Sequence, residues 1–121
     1  MTTTFGPILL PGGGVEFRHW APAATRVELM LDGDLIPMPQ AGGGWFKATS
    51  RDAGPGSLYK FRIDGELEVP DPASSFQPTD VAGPSEVIDH TWSWQAGGWR
   101  GRPWHEAVFL ELHVGTFSTE G

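Results

Sequence analysis

The sequence contains no cysteine, and this absence removes several kinds of chemistry. Without a thiol the chain can form no disulfide, no thiolate nucleophile and no thiolate metal site. The four histidines, at positions 19, 90, 105 and 113, lack the short spacings of metal ligands. We interpret His19, which lies in an alternating stretch, as a packed ring. We therefore predict no metal and no other cofactor.

Positive charge is also scarce, with 8 basic residues against 15 acidic ones and a net charge of −7. Nucleic acids and anionic membranes select concentrated basic surfaces, so neither is predicted as a partner. The first residues carry no basic cluster, and Pro7 and Pro11 interrupt their apolar stretch. No run approaches the roughly 20 apolar residues of a membrane span. The sequence thus predicts a cytoplasmic protein without a signal peptide.

Helical periodicity is missing, and strand-like alternation takes its place. No spacing of i, i+3, i+4, i+7 extends over ten residues, whereas apolar and polar residues alternate in four stretches. These stretches are Val15–Trp20, Thr25–Leu31, Gly44–Ser50 and Ser57–Ile63. The dipeptides Asp32-Gly33 and Asp64-Gly65 are strong hairpin signals. Residues 5–90 are therefore predicted to form an all-β, immunoglobulin-like antiparallel β-sandwich.

The character of the chain changes from Pro70 onward. A proline-rich stretch without periodicity predicts an extended linker. The following segment, residues 91–107, holds four of the six tryptophans, which normally pack on another surface. Residues 108–121 begin with VFLELHV, an apolar run without alternation. Such a run is typical of a strand buried on both faces of a parallel sheet.

Catalytic candidates are not supported by these patterns. The glycine runs at 12–14 and 42–44 precede strands and lack a following Gly-Lys-Ser/Thr, which favours turns over phosphate loops. The carboxylates Asp32, Asp34, Glu66, Glu68 and Asp71 flank predicted turns, where they serve solvation and turn chemistry. We therefore predict no catalytic residue in this chain.

Aromatic side chains are the remaining candidates for function. Aromatic rings stack on the apolar faces of sugars, and they also build β-sandwich cores. The alternation around Phe17, Tyr59 and Phe61 favours the core for these three. For Trp45 the pattern leaves two alternatives open, a position at the core edge or an exposed platform.

Three motifs resemble a known family. They are FRHWAPAA (Phe17–Ala24), GSLYKFRIDG (Gly56–Gly65) and DPA (Asp71–Ala73). Together they resemble the carbohydrate-binding module 48, or isoamylase N-terminal domain, of the α-amylase superfamily. The stretches DPASSFQPTDVAGPSEVID and FLELHVGTFSTEG are more similar to the trehalose-releasing members than to branching or debranching relatives. The resemblance covers the chain from about Phe5.

The resemblance implies a non-catalytic N-terminal domain of a glycoside hydrolase. Such an enzyme releases trehalose from maltooligosyltrehalose by hydrolysing the adjacent α-1,4 bond. Residues 108–121 would be the first strand of a truncated (β/α)8 catalytic barrel, a fold of about 250 residues. The barrel of the same polypeptide would be the partner of this domain. Its paired catalytic carboxylates lie on later strands, so none is expected here.

The resemblance also suggests where sugar would be contacted. Glycogen-binding members stack sugars on two tryptophans and use a lysine on the strand before the second Asp-Gly turn. Lys60 matches that lysine, while the stretch 32–38 has no aromatic residue and Leu67 replaces the second tryptophan. These departures favour a scaffold role. Two alternatives remain: an α-glucan-binding module using Trp45, Tyr59 and Lys60, and the N-terminal domain of a debranching or branching enzyme.

Overall fold

The computed structural model describes residues 5–117 and residue 119, and it shows two compact units. The first unit ends at Thr91 and the second begins at Trp92. The described residues of the first unit form eight strands: β1 (Ile8–Leu9), β2 (Val15–Trp20), β3 (Val27–Leu31), β4 (Asp34–Met38), β5 (Trp45–Ser50), β6 (Leu58–Ile63), β7 (Leu67–Val69) and β8 (Ser85–Glu86). No helix among the described residues is long and apolar enough to cross a bilayer.

The strands form two antiparallel sheets. One sheet has the order β1-β2-β5, and the other has the order β4-β3-β6-β7, with β8 also paired to β6. β2 and β5 pair along six residues, and β3 pairs with both β4 and β6 along five. The predicted all-β antiparallel sandwich is therefore confirmed.

The core lies between the sheets because alternate side chains of each strand point inward. In β2, Val15, Phe17 and His19 are buried, while Trp20 is exposed. Leu29 of β3 lies opposite Phe61 of β6. The buried apolar side chains are Val15, Phe17, Val27, Leu29, Leu31, Met38, Phe46, Ala48, Ala53, Tyr59, Phe61 and Val87. The core positions predicted for Phe17, Tyr59 and Phe61 are thus confirmed.

Both Asp-Gly dipeptides form the expected hairpin turns. Asp32 and Gly33 have φ angles of 48° and 99°, and Asp64 and Gly65 have 50° and 82°. Positive φ at two successive positions matches the twist of the flanking strands. The Asp32 carboxylate accepts a hydrogen bond of 2.8 Å from the first backbone N–H of β6. The Asp64 carboxylate accepts one of 2.8 Å from the Arg26 N–H. These two carboxylates therefore stabilise turns.

The predicted linker after β7 contributes to the sandwich at several points. Asp71 and Ser85 are buried, and β8 hydrogen-bonds to β6. Val87 is 1% exposed and belongs to the core. The linker is therefore irregular in backbone but anchored by side chains.

The second unit contains the segment for which a barrel strand is predicted, residues 108–121, and this segment begins without strand pairing. Val108 to His113 lie outside any strand, and Val114–Phe117 form one helical turn, α1. A strand requires a hydrogen-bonded neighbour, and none of the described residues supplies one here. Residues 118, 120 and 121 lie outside the described residues. The barrel strand expected in a longer protein stays a prediction.

Candidate functional site

A chain of buried and partly buried hydrogen bonds connects the Asp-Pro-Ala motif to the sandwich. The Tyr59 hydroxyl donates to Asp71 Oδ2 over 2.8 Å, and the Ala73 N–H donates to Asp71 Oδ1 over 2.8 Å. The Asp71 N–H donates to Ser85 Oγ over 3.1 Å. The motif therefore anchors the segment after β7 through satisfied polar groups.

Burial changes the protonation of this cluster. Burial raises the pKa of the Asp71 carboxyl, although the hydrogen bonds from Ala73 and Tyr59 oppose that shift. Burial, followed by the nearby charge of Asp71, raises the pKa of Tyr59 far above its usual value. The Tyr59 hydroxyl therefore keeps its proton and acts as a hydrogen-bond donor.

His19 lies beside this cluster, and its ring packs on Phe61 with centroids 4.4 Å apart. Burial lowers the pKa of His19, and the negative charge of Asp71 opposes this shift. The predicted packed ring is confirmed. Among the described residues, no group of three His, Asp or Glu side chains is arranged to hold a metal ion.

Tyr59 does not lie where a sugar could stack on it. Its side chain is 1% exposed, with the rings of Phe17 and Phe61 centred 5.0 and 5.8 Å away. Burial of the ring therefore argues against the predicted sugar contact at Tyr59. The physical reason is strand alternation, which directs Tyr59 inward and the adjacent Lys60 outward.

Lys60 is half-buried and borders an open cavity of about 610 Å³ on the outer side of the larger sheet. We call this space the lysine cavity. Its side-chain lining includes Met30, Leu35, Leu58, Lys60, Arg62 and Pro84. Tyr59 is the one aromatic residue of the lining, and its ring is buried. Lys60 therefore has no exposed aromatic ring beside it in the described part of the chain.

Trp45 lies on the smaller sheet and borders a different cavity. Trp45 is half-buried, faces Trp20 across the β2–β5 pair, and packs on Phe5 with ring centroids 6.0 Å apart. These three rings line a cavity of about 440 Å³, which we call the aromatic cleft. Its polar lining comes from Arg18, His19 and Asp71.

Sequence reasoning missed Phe5 and Trp20 as members of this cleft. The sequence places Trp20 on the polar face of β2, where an indole is unexpected, and this position could have indicated a functional role. In the structure Trp20 is 58% exposed. The sequence around Phe5 gives no indication that it lines the cleft, because its position depends on how the segment before β1 folds. The structure therefore brings Trp45 together with two unforeseen rings and separates it from Lys60.

Trp20 is held in a defined orientation despite its exposure. Its indole N–H donates to the Gly43 carbonyl over 3.0 Å. The next residue, Gly44, has φ of 83°, and a Cβ there would lie 2.7 Å from Pro22 Cβ and 3.1 Å from Trp20 Nε1. The glycines before β5 thus allow close packing beside the indole edge.

Arg18 is paired where it borders the cleft. Its guanidinium forms a short ion pair with Glu16, two residues away on the same face of β2. Both side chains are 25% exposed. The cation is thus already neutralised by a neighbouring carboxylate.

This fold and these motifs agree with a family comparison. The profile of carbohydrate-binding module 48, the isoamylase N-terminal domain, matches residues 4–77. The match covers more than half of the chain, and the chain belongs to this family.

Two similar curated relatives share one enzyme name, and a third carries a different one. It is 40% identical to malto-oligosyltrehalose trehalohydrolase of Deinococcus radiodurans, covering 98% of this chain and 20% of the relative. It is 38% identical to the enzyme of that name from Saccharolobus solfataricus, covering 98% and 21%. Glycogen debranching enzyme of Dickeya chrysanthemi is 26% identical, covering 85% and 21%. The chain therefore spans about a fifth of the length of these relatives.

Solved structures show the same architecture. A Salmonella typhimurium protein with an alpha-amylase designation is similar with a TM-score of 0.84 and 39% identity, covering 99% of this chain and 21% of that one. Pullulanase of Paenibacillus barengoltzii, solved with maltohexaose and α-cyclodextrin, has a TM-score of 0.60 and 25% identity, covering 70% and 14%.

Proposed function

We propose that this chain is the non-catalytic N-terminal module of a glycoside hydrolase that releases trehalose from maltooligosyltrehalose. The observation that carries the proposal is its match, along nearly its full length, to one fifth of two trehalohydrolases. The partner of the module would be the catalytic domain of the same polypeptide.

The polar groups of the sandwich support a structural role. Retaining glycosidases need two carboxyl groups about 5–5.5 Å apart, one as nucleophile and one as acid and base. Asp71, one of two buried carboxylates among the described residues, is occupied by hydrogen bonds from Tyr59 and Ala73, and the other, Glu28, is paired with Arg62. Asp32 and Asp64 are occupied by backbone N–H groups at turns. Asp71, Asp32 and Asp64 therefore stabilise the fold as hydrogen-bond acceptors.

The test compares the 121-residue chain with the complete product of its gene on maltooligosyltrehalose. We expect the complete product to release trehalose and the chain alone to release no more than buffer. Dose-dependent release by the chain alone would contradict the non-catalytic role. A complete product that cleaves only α-1,6 branches would contradict the trehalose-releasing reaction.

A debranching enzyme is the second candidate, because the debranching relative from Dickeya chrysanthemi matches most of the chain. The same assay separates the two when a branched glucan is added as a parallel substrate. Trehalose release identifies the first candidate, and loss of α-1,6 branches identifies the second.

We also propose that the module contacts α-glucan. The family is described as carbohydrate-binding, and a similar pullulanase was solved with maltohexaose. The aromatic cleft provides the exposed rings that such contact requires. Titration of the chain with maltohexaose tests this proposal, and an unchanged signal at millimolar sugar would contradict it.

A further inference from the structure

We infer that the aromatic cleft lined by Phe5, Trp20 and Trp45 binds an α-1,4-glucan chain, on the sheet opposite Lys60. The inference rests on the proposed contact between the module and α-glucan, and it assigns the site. It predicts that glucan affinity depends on Trp20 and is independent of Lys60.

The chemistry of the cleft fits a pyranose ring. The axial C–H groups of α-linked glucose form apolar faces, whereas its hydroxyls project from the ring edge and need hydrogen bonds. Small-molecule sites are mostly apolar clefts of about 300–1,000 Å³ with a few polar groups that fix orientation. The cleft has a volume of about 440 Å³, three aromatic rings, and polar groups on Arg18 and His19. It can therefore contact both parts of a sugar.

The aromatic side chains of the cleft are also preorganised for binding. Trp20 is 58% exposed, yet its N–H is fixed on the Gly43 carbonyl. Trp45 is held by packing against Phe5. A side chain that is already ordered loses little conformational freedom on binding, which preserves affinity.

Charge argues that the ligand is neutral. The chain has a net charge of −7, which disfavours anions by long-range repulsion. Arg18 is paired with Glu16, so it offers no unneutralised positive charge to a phosphate or carboxylate. A neutral ligand with apolar faces and hydroxyl edges meets these conditions.

The lysine cavity is the competing location and has the weaker chemistry. Its volume of about 610 Å³ is larger, but its apolar lining is aliphatic, with Met30, Leu35 and Leu58. Aliphatic side chains offer no flat ring on which a sugar face can stack. Leu67, at which the family resemblance places a tryptophan, is 60% exposed but does not belong to this lining.

The experiment titrates the 121-residue chain with maltohexaose by calorimetry and compares two replacements. Trp20→Ala should raise the dissociation constant by at least about tenfold, the effect of losing one central aromatic contact. Lys60→Ala is the matched control on the other sheet and should change it less than about twofold. Retained binding in Trp20→Ala together with lost binding in Lys60→Ala would overturn the inference.

A second measurement keeps the inference testable if Trp20→Ala does not fold. In the unmodified chain, the indole N–H resonance of Trp20, identified through Trp20→Phe, should shift on addition of maltohexaose. The indole resonances of Trp94 and Trp99, in the second unit, should not shift. Shifts confined to backbone resonances of β4 and β6, which line the lysine cavity, would place the sugar there and overturn the inference.

Failure of this inference can be distinguished from failure of the proposed function. If the chain does not bind maltohexaose while the complete gene product releases trehalose, the cleft is not a glucan site and the enzymatic proposal stands. If the chain does not bind maltohexaose and the complete gene product does not release trehalose, both the glucan site and the trehalose-releasing function are wrong.

Discussion

Asp71 shows how a single buried residue connects the sandwich to the segment that follows it. Its carboxylate accepts hydrogen bonds from Tyr59 and Ala73, and its N–H binds Ser85. Because burial raises the pKa of Asp71 above the unfolded value of 3.8, the native state holds this proton more tightly than the unfolded state. The contribution of Asp71 to stability is therefore greatest below that value and is lost as pH rises through the native pKa.

Replacing Asp71 by Ala should still destabilise the sandwich at neutral pH. The change leaves the Tyr59 hydroxyl buried without its acceptor, and such an unsatisfied group costs about 1–3 kcal/mol. Urea unfolding followed by circular dichroism measures the loss in the free energy of unfolding.

Tyr59→Phe supplies the matched control for Asp71→Ala. Tyr59→Phe removes the hydroxyl that donates to Asp71. The double variant Tyr59→Phe/Asp71→Ala should therefore lose less free energy of unfolding than the sum of the two single variants. Additive losses would show that the 2.8 Å contact between Tyr59 and Asp71 contributes nothing specific.

At the scale of elements, β2 has one face in the core and another in the aromatic cleft. β5 pairs with all six residues of β2, whereas β1 pairs only with Val15 and Glu16. From Arg18 onward β2 borders the cleft, together with Phe5 and the Asp71–Ala73 motif. The short first strand therefore leaves room for a cavity beside the second half of β2.

The turn before β5 can be tested with a matched pair of glycines. Gly42 and Gly44 both have positive φ, at 86° and 83°, so alanine at either costs about 1–2 kcal/mol in backbone strain. A Cβ at 42 meets nothing within 4 Å, while a Cβ at 44 meets Pro22 at 2.7 Å. Gly44→Ala should therefore lower the thermal midpoint more than Gly42→Ala and shift the Trp20 indole resonance. Equal effects of the two replacements would contradict this packing role.

The elements could be predicted from sequence much better than the candidate site. Alternation located β2 and β6 and put Tyr59 in the core, because side-chain direction follows from strand geometry alone. The partner of Trp45 could not be predicted, because Phe5 is distant in sequence and reaches it only through tertiary packing. The strand predicted from the apolar run at Val108 stays a prediction for a related reason, because strand formation depends on a neighbour that a local pattern does not reveal.

At the scale of the whole molecule, the two units differ in how far they bury their apolar side chains. The sandwich buries twelve apolar side chains in one cluster. In the second unit, the four tryptophans are 65–80% exposed, and Val108, Phe109 and Leu110 are 96%, 72% and 79% exposed. Contiguous exposed apolar surface of this kind favours association with other surfaces.

We therefore predict that the 121-residue chain self-associates through its second unit. Burying one large apolar side chain contributes roughly 1.5–3 kcal/mol, so three successive ones can offset the cost of ordering the segment. Light scattering should show mass rising with concentration for the whole chain and a constant monomer mass after deletion of residues 92–121. Leu110→Asp should also reduce association, whereas Leu67→Asp, at an exposed position of the sandwich, should not. If the whole chain stays monomeric at high concentration and its amides at 108–113 exchange without protection, this segment does not drive association.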